Sequence, residues 1–479
     1  MMEDILVTGA TIVTMDAARR VIADGAMAVS GGRIVAVGPR EEVEAAHSVA
    51  RIVDGRGKIL MPGLIDVHAH AGHGLIKSMG MTDGDRWEAI CGEVYTTGST
   101  PEFWHAEARL AALERLRFGV TCGVSLLGGG DTVMRTDDPV HGEAHARGVA
   151  EVGTRAIVAV GPTRAPHPRT YATIGEEGET TRYPVDFDRQ MRTCETLIAR
   201  LHGSAGGRVR IALVYPVLRD EHEAGMAPDD YAEAVRQVRA VRALSRATAV
   251  LFTQDGHWRG SVRRAHALGL LGPDALLSHA IDLHEDEIAL CAQTGTRIAH
   301  NPSAVASIKG RCPAIELMEA GVVVALGSDA TAPDRSGDMF RHMQQAMHYH
   351  RRHYRDASVL PVGKALEMAT IDAATALGLA GEIGSLEPGK RADAILVDGR
   401  RAHLAPANMP VHRVVAFANG NDVETVMVDG EILLEAGRPT RVDPLAIALE
   451  AERQADLMIA RIGAQDALDV APGWGRPRG

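Results

Sequence analysis

Two hydrophobic rhythms divide the chain. Near its start, ILVTGATIVTM, GAMAVSGGRIVAVG and RIVDGRGKILM are β-branched runs interrupted by Gly and Asp, which predicts a small β-domain over residues 1–58. From Ile59 an apolar run is followed by a stretch with helical spacing, and the pair recurs. Eight strand candidates emerge: LIDVHAH, VTCGVSLL, RAIVAVGP, RVRIALVYPV, AVLFTQDG, ALLSHAID, TRIAHNPS and VVVALGSDA. Helical patterns such as PEFWHAEARLAALERLRFG, DFDRQMRTCETLIARLHG, DDYAEAVRQVRAVRALS and HEDEIALCAQTG lie between them. Strands apolar throughout fit a sheet covered on both faces. Eight β-to-α units predict a closed parallel (β/α)8 TIM barrel over residues 59–384. SLEPGKRADAILVDG, HRVVAFANG and VETVMVDGEILL then return to β-character over 385–442. The two ends of the chain are therefore expected to meet in one accessory β-sandwich. Residues 443–479 read as a terminal helix and a loose tail.

Composition narrows the class. The 479 residues suffice for a barrel plus an accessory domain, and 46% are apolar but only 4% aromatic, so the core must be aliphatic. A formal net charge of −11 without any Lys/Arg tract disfavours nucleic acid as a partner. Cys91, Cys122, Cys194, Cys291 and Cys312 form no CxxC, so a disulfide framework is not expected. The start, MMEDILVTGATIVTM, has no apolar signal core, and no run approaches the ~20 apolar residues of a membrane span. The expectation is a cytoplasmic protein acting on a small molecule, without membrane partners.

The site of such a barrel lies at the C-terminal ends of its strands. Four strand ends carry suitable groups. His68 and His70 are two apart, so both side chains share one face of the strand and can grip one ion. Asp329 ends VVVALGSD, where a buried carboxylate is costly unless paired or bound to a cation. His279 ends ALLSHA and His300 ends TRIAH. His73 follows the HxH closely, and His257 and Trp258 fall just past the fifth strand, where they can line a pocket. Gly128, Gly129 and Gly130 follow a strand without a phosphate-loop pattern and read as a βα-loop at the pocket. The histidine-rich stretch from His342 to His353 reads as a solvated helix.

MPGLIDVHAH, LLSHA, IAHNPS, VALGSDA with DMF following, and GSLEPGKRADAILVD resemble the amidohydrolase superfamily over nearly the whole chain. Their order is most similar to the branch of chlorohydrolases and aminohydrolases of triazines and nucleobases. The resemblance implies that His68 and His70 bind a divalent ion, that Asp329 binds it and moves protons, and that His279 binds it or polarises the substrate. It implies one ion, zinc first, with cobalt, manganese or iron as alternatives, and a homo-oligomer. That branch has His-x-x-Glu at the end of the fifth strand, the His a metal ligand and the Glu a ring-protonating acid. Here the matching segment reads Phe252-Thr253-Gln254-Asp255. Binuclear relatives carry a carboxylated Lys on the fourth strand, where this chain has Tyr215-Pro216. His300, His73, Phe252, Gln254, Asp255, His257 and Trp258 are the expected substrate-binding set, with His279, Gln254 or His257 able to complete the metal's shell.

The Phe at that position, HAHAGHG and GGGDTVMRTDDP are similar to the molinate hydrolase and phenylurea hydrolase group. The first expectation is therefore a metal-dependent hydrolase of an amide, carbamate, thiocarbamate or urea C–N bond. An aminohydrolase of an N-heterocycle is the alternative. A catalytically inactive member with a structural or regulatory role is the alternative of another class.

Overall fold

The computed structural model describes residues 4–475, apart from 48–49, 82–83, 130–132, 176–177, 305, 330, 333–334 and 470. Gly130 and two residues of the loop motif after it, and the end of the tail, lie outside the described residues. Eight parallel strands form the barrel: β1 (Leu64–Asp66), β2 (Val120–Leu126), β3 (Arg155–Val160), β4 (Val209–Val214), β5 (Phe252–Gln254), β6 (Ala275–Ser278), β7 (Arg297–His300) and β8 (Val324–Leu326). They follow one another in sequence order around the sheet. Closure between β8 and β1 is made at the mouth, where Val67 N donates to Leu326 O at 3.2 Å and Asp329 N donates to His68 O at 2.8 Å.

Alternation explains the core. Ile65, Val67, Val124, Leu126, Ala159, Ala212, Leu276, Ala299 and Ala325 share the interior cluster. Their neighbours Val158, Val160, Leu213, Phe252, Leu277 and Ile298 join the larger cluster of the helix layer. Small alanines on β3, β4, β7 and β8 fill the interior of a chain poor in aromatics, as in-and-out alternation along a barrel strand requires.

Both chain ends build one nine-stranded sheet. Its order is Arg438–Pro439, Glu431–Glu435, Val423–Val428, Ala394–Asp398, Lys58–Pro62, Ile5–Val13, Val21–Ser30 and Arg33–Pro39, with Arg51–Asp54 pairing off Ile5–Val13. Ile5, Ile12, Met27, Leu60, Leu396 and Met427 share its apolar cluster. Lys58–Pro62 pairs with Ala394–Asp398, so the chain enters the barrel only at β1.

Two local expectations are corrected. HRVVAFANG, read as a strand, lies in the helix Pro410–Phe417, which buries Arg413, Val414 and Val415. Pro410 suits the first helical turn, and that packing overrides the weak β-preference of two valines. The histidine-rich helix Met339–Tyr354 is not solvated all round: His342 and His350 are buried with Met339, Phe340, Met343, Ala346 and Met347. The terminal helix runs over Pro444–Ile462 as expected.

Candidate active site

Four strand ends, those of β1, β5, β6 and β8, bring imidazoles and carboxylates to one point. His68 Nε2 lies 3.2 Å from Asp255 Oδ1 and 3.7 Å from Asp329 Oδ1. His70 Nε2 lies 3.3 Å from Asp255 Oδ2 and 3.2 Å from Asp329 Oδ1. His279 Nε2 donates to Asp255 Oδ1 at 3.0 Å. His68, His279 and Asp329 have ligand atoms all within 4.8 Å of one another, and so do His68, His70 and Asp255.

Local chemistry holds each group. Asp66 is fully buried and accepts from Ser328 N at 2.9 Å, Ser328 Oγ at 2.7 Å and Arg115 Nη2 at 3.2 Å. That one carboxylate ties the end of β1 to the end of β8. His70 Nδ1 donates to Gly128 O at 3.0 Å, which leaves Nε2 as the atom facing the carboxylates. Ser278 Oγ donates to Asp255 Oδ1 at 2.7 Å. Asn301 Nδ2 reaches His279 Nδ1 at 3.4 Å and favours the His279 tautomer that donates from Nε2. A Cβ at Gly327 would stand 2.3 Å from Asn301 Oδ1 and 2.8 Å from His68 Cβ, so only glycine admits this approach. His279 (φ 68°), Ala280 (φ 52°) and Asp329 (φ 61°) take left-handed backbone, which costs a non-glycine residue about 1–3 kcal/mol and clusters at functional sites.

The electrostatics call for a cation. Burial pushes Asp329 and Asp255 up, yet the imidazoles around them hold both carboxyls well below the usual carboxylate range. Burial opposes protonation of His70, but the charges of Asp255 and Asp329 raise it to about 9. His68 is fully buried, and among the described residues neither of its ring nitrogens has a hydrogen-bond partner. A tetrahedral ion with bonds of about 2.0–2.1 Å separates its ligand atoms by roughly 3.4 Å. The distances above bracket that figure, and the donor set is imidazole and carboxylate. These residues fit a divalent metal ion.

The amidohydrolase family model matches residues 59–433, and the bacterial imidazolonepropionase-like composite domain matches residues 25–47. A 5-methylthioadenosine/S-adenosylhomocysteine deaminase of Nitratidesulfovibrio vulgaris is 32% identical over 92% of this chain and 94% of its own length. A 5'-deoxyadenosine deaminase of Methanosarcina mazei is 28% identical over 96% of this chain and all of its own, 100%. The chain belongs to the amidohydrolase family. Among solved structures, an adenosine deaminase from Xanthomonas campestris with bound zinc superposes with a TM-score of 0.80 at 24% identity, over 95% of this chain and 99% of that one. The zinc complex of atrazine chlorohydrolase from Arthrobacter aurescens TC1 gives 0.76 at 22%, over 94% and 100%. These two likenesses speak to the fold. As an amidohydrolase, the protein is a metal-dependent hydrolase acting on carbon–nitrogen bonds.

Within this amidohydrolase the expected residues separate. His68, His70, His279 and Asp329 converge. His73 stacks on His70 with ring centroids 5.0 Å apart, its ring buried behind that ligand and kept from protonation by burial. Four residues expected in the pocket face elsewhere. Phe252 points into the helix layer, with the Arg242 guanidinium 5.2 Å from its ring. Gln254 donates to Tyr215 O at 3.3 Å, and His257 is spent on Ser261 Oγ at 2.8 Å and Gln254 Oε1 at 3.3 Å, so neither completes the metal's shell. His300 turns outward to His350, their Nε2 atoms 3.2 Å apart, while Asn301 faces the site.

Asp255 is the largest revision. The sequence places it where the branch has its ring-protonating Glu. Its carboxylate instead lies against His68 and His70, where the fifth-strand His of the branch would bind metal. Asn301, Ser278 and the Gly128 carbonyl escaped the sequence reading. Asn301 could have been found by the alternation that puts Ala299 inside the barrel.

Proposed function

We propose that this chain hydrolyses an amide, carbamate, thiocarbamate or urea C–N bond of a small molecule, as in the molinate hydrolase and phenylurea hydrolase group. The observation that supports the reading is the fifth strand end: Asp255 lies against His68 and His70, and Phe252-Thr253-Gln254-Asp255 lacks the His-x-x-Glu that gives a deaminase of the branch its ring acid. Protonating an aromatic ring nitrogen needs that acid, whereas opening an acyl C–N bond needs only a nucleophile, a polarised carbonyl and a proton for the leaving nitrogen.

His68, His70, Asp255 and Asp329 would hold one divalent ion, which supplies Lewis acidity and brings the pKa of water toward about 7. Asp329 takes a proton from the attacking water, then delivers it to the departing nitrogen as the C–N bond breaks. The products are a carboxylic acid and an organic amine from an amide, or an organic amine, carbon dioxide and an alcohol, thiol or second amine from a carbamate, thiocarbamate or urea. His279, oriented by Asn301, donates from Nε2 toward the carbonyl oxygen as negative charge develops there. Gly128 fixes the His70 ring, and Ser278 fixes Asp255.

A second reading, removal of ammonia from a purine nucleoside, is favoured by the deaminase names of relatives up to 32% identical. One experiment separates the two. The zinc-loaded enzyme is incubated in parallel with an N',N'-dimethyl phenylurea, an N,N-dialkyl thiocarbamate, 5-methylthioadenosine and 5'-deoxyadenosine, and amine and ammonia are both assayed. Organic amine without ammonia supports the first reading. Ammonia from either nucleoside, at a turnover above that on the ureas, replaces it with the second.

A further inference from the structure

Beyond His279 the chain does not leave the barrel directly. Ile281 N donates to His257 O at 2.9 Å, Arg259 N to Ile281 O at 2.9 Å, and Asp282 N to Arg311 O at 2.7 Å. A parallel bridge pairs Trp258 with Ile281. The ends of β5 and β6 are thereby prolonged past the metal ligands, and Trp258 and Ile281 stand side by side at the mouth. They line a cleft of about 360 Å³ together with Arg259, Asp282 and Lys309.

The cleft is cationic in a chain whose net charge is −11. The Arg219 guanidinium lies 3.9 Å from the centre of the Trp258 ring, and Lys309 Nζ lies 5.4 Å from it. Arg219 is anchored by donating to Gly256 O at 2.8 Å. Among the described residues, neither Arg259 nor Lys309 has a carboxylate within ion-pair distance; Arg259 Nε reaches only the Asp282 carbonyl, at 3.5 Å. The Asp282 carboxylate accepts from Arg311 N at 2.9 Å and so is partly spent on its own backbone neighbour. An indole face with Arg219 and Lys309 against it and one more cationic donor, Arg259, at the rim suits a planar group bearing negative charge.

We propose that this cleft is a substrate subsite for a planar, anionic substituent, of carboxylate or sulfonate class, carried by the part of the molecule remote from the scissile C–N bond. The inference rests on the proposed C–N hydrolase reading only for what that remote part is attached to. Anion binding itself does not depend on it.

The probes are 2-naphthalenesulfonate and its neutral counterpart 2-naphthalenemethanol, titrated calorimetrically into the full-length zinc-loaded enzyme. A sulfonate is a poor ligand for a divalent ion, so binding reports the cleft. The sulfonate is expected to bind more tightly than the alcohol, and Lys309→Ala to weaken it about fivefold or more while leaving the alcohol unchanged. Trp258→Leu is expected to weaken both, and raised salt to weaken only the sulfonate. The preference should persist in His68→Ala protein, which separates this subsite from the metal chemistry. Equal affinities for the two probes, or sulfonate binding indifferent to Lys309→Ala, would overturn the proposal.

Discussion

The barrel buries charge at both of its ends, and the two ends are built on opposite terms. At the base, Arg155 Nε meets Asp393 Oδ2 at 2.6 Å and its Nη2 meets Asp429; Arg208 Nε meets Asp429 Oδ2 at 2.9 Å, and Arg391 Nη1 meets Asp429 Oδ1 at 3.1 Å. Guanidinium forks and carboxylates are matched there, and the network joins the starts of β3 and β4 to the accessory sheet. At the mouth, buried Asp329 and half-buried Asp255 face imidazoles whose protons are removable, and among the described residues the His68 ring nitrogens have no hydrogen-bond partner. A base that neutralises itself is a clamp. A mouth that needs an external cation is a site. Burial is the same in both, so burial alone identifies neither; the presence or absence of a permanent counter-charge does.

Removing function from each end should therefore give opposite phenotypes, and the largest effect belongs to the mouth. Asp329→Asn keeps shape and volume but cannot accept a proton. Turnover is expected to fall by about 10³–10⁴-fold, the upper range for a positioned acid–base group, with the thermal midpoint little changed. Near-wild-type turnover would show that another group moves the proton.

The base should respond in stability and not in chemistry. Arg155→Met takes the ion-pair partner from buried Asp393 and leaves Asp429 to Arg208 and Arg391; breaking a buried pair by removing one partner costs about 3–5 kcal/mol. The expected readout is a lowered denaturant midpoint, with metal content per folded chain unchanged. The network also has a pH signature. Burial works against ionised Asp429, but the Arg155 and Arg208 charges hold its carboxyl below the ordinary value of 3.8. A group depressed in the folded state contributes stability above its unfolded pKa, and that contribution drains away as pH falls through the folded value. Acid unfolding below pH 3.8 should accordingly be less steep in Arg155→Met, where the depression is relieved.

The contrast also explains what the sequence did and did not disclose. The eight-unit rhythm, the aliphatic core and the HxH pair are written in local patterns, and the barrel, His68, His70, His279 and Asp329 could be named from them. That Asp255 lies against His68 and His70 was not legible, because it depends on where β5 stops alternating. His300 was named for its chemistry, yet strand parity sends it outward and turns Asn301 inward. Pro410–Phe417 was missed because its helical packing is tertiary, not local. The basal network was invisible for the same reason: Arg155, Asp393 and Asp429 are separated by more than two hundred residues at the widest, and no local pattern says that they meet.

The smallest predicted effect tests the mouth most finely. Ser278 Oγ donates to Asp255 Oδ1 at 2.7 Å and accepts from Gly256 N at 3.2 Å. Nothing about it is needed for folding the barrel strand, whose backbone pairing to β7 is independent of the hydroxyl. If Asp255 is a metal ligand, Ser278→Ala frees one side of its carboxylate to rotate, and metal affinity should drop by roughly tenfold, the lower end for loss of a group that orients a ligand. Stability should move by no more than about 1 kcal/mol, the net worth of one hydrogen bond. Competition with a chelator at fixed pH measures the first quantity and urea unfolding of the metal-free protein the second. An unchanged metal affinity would mean that Asp255 owes its position to the imidazoles alone; then the carboxylate at the fifth strand is held by the site instead of helping to build it.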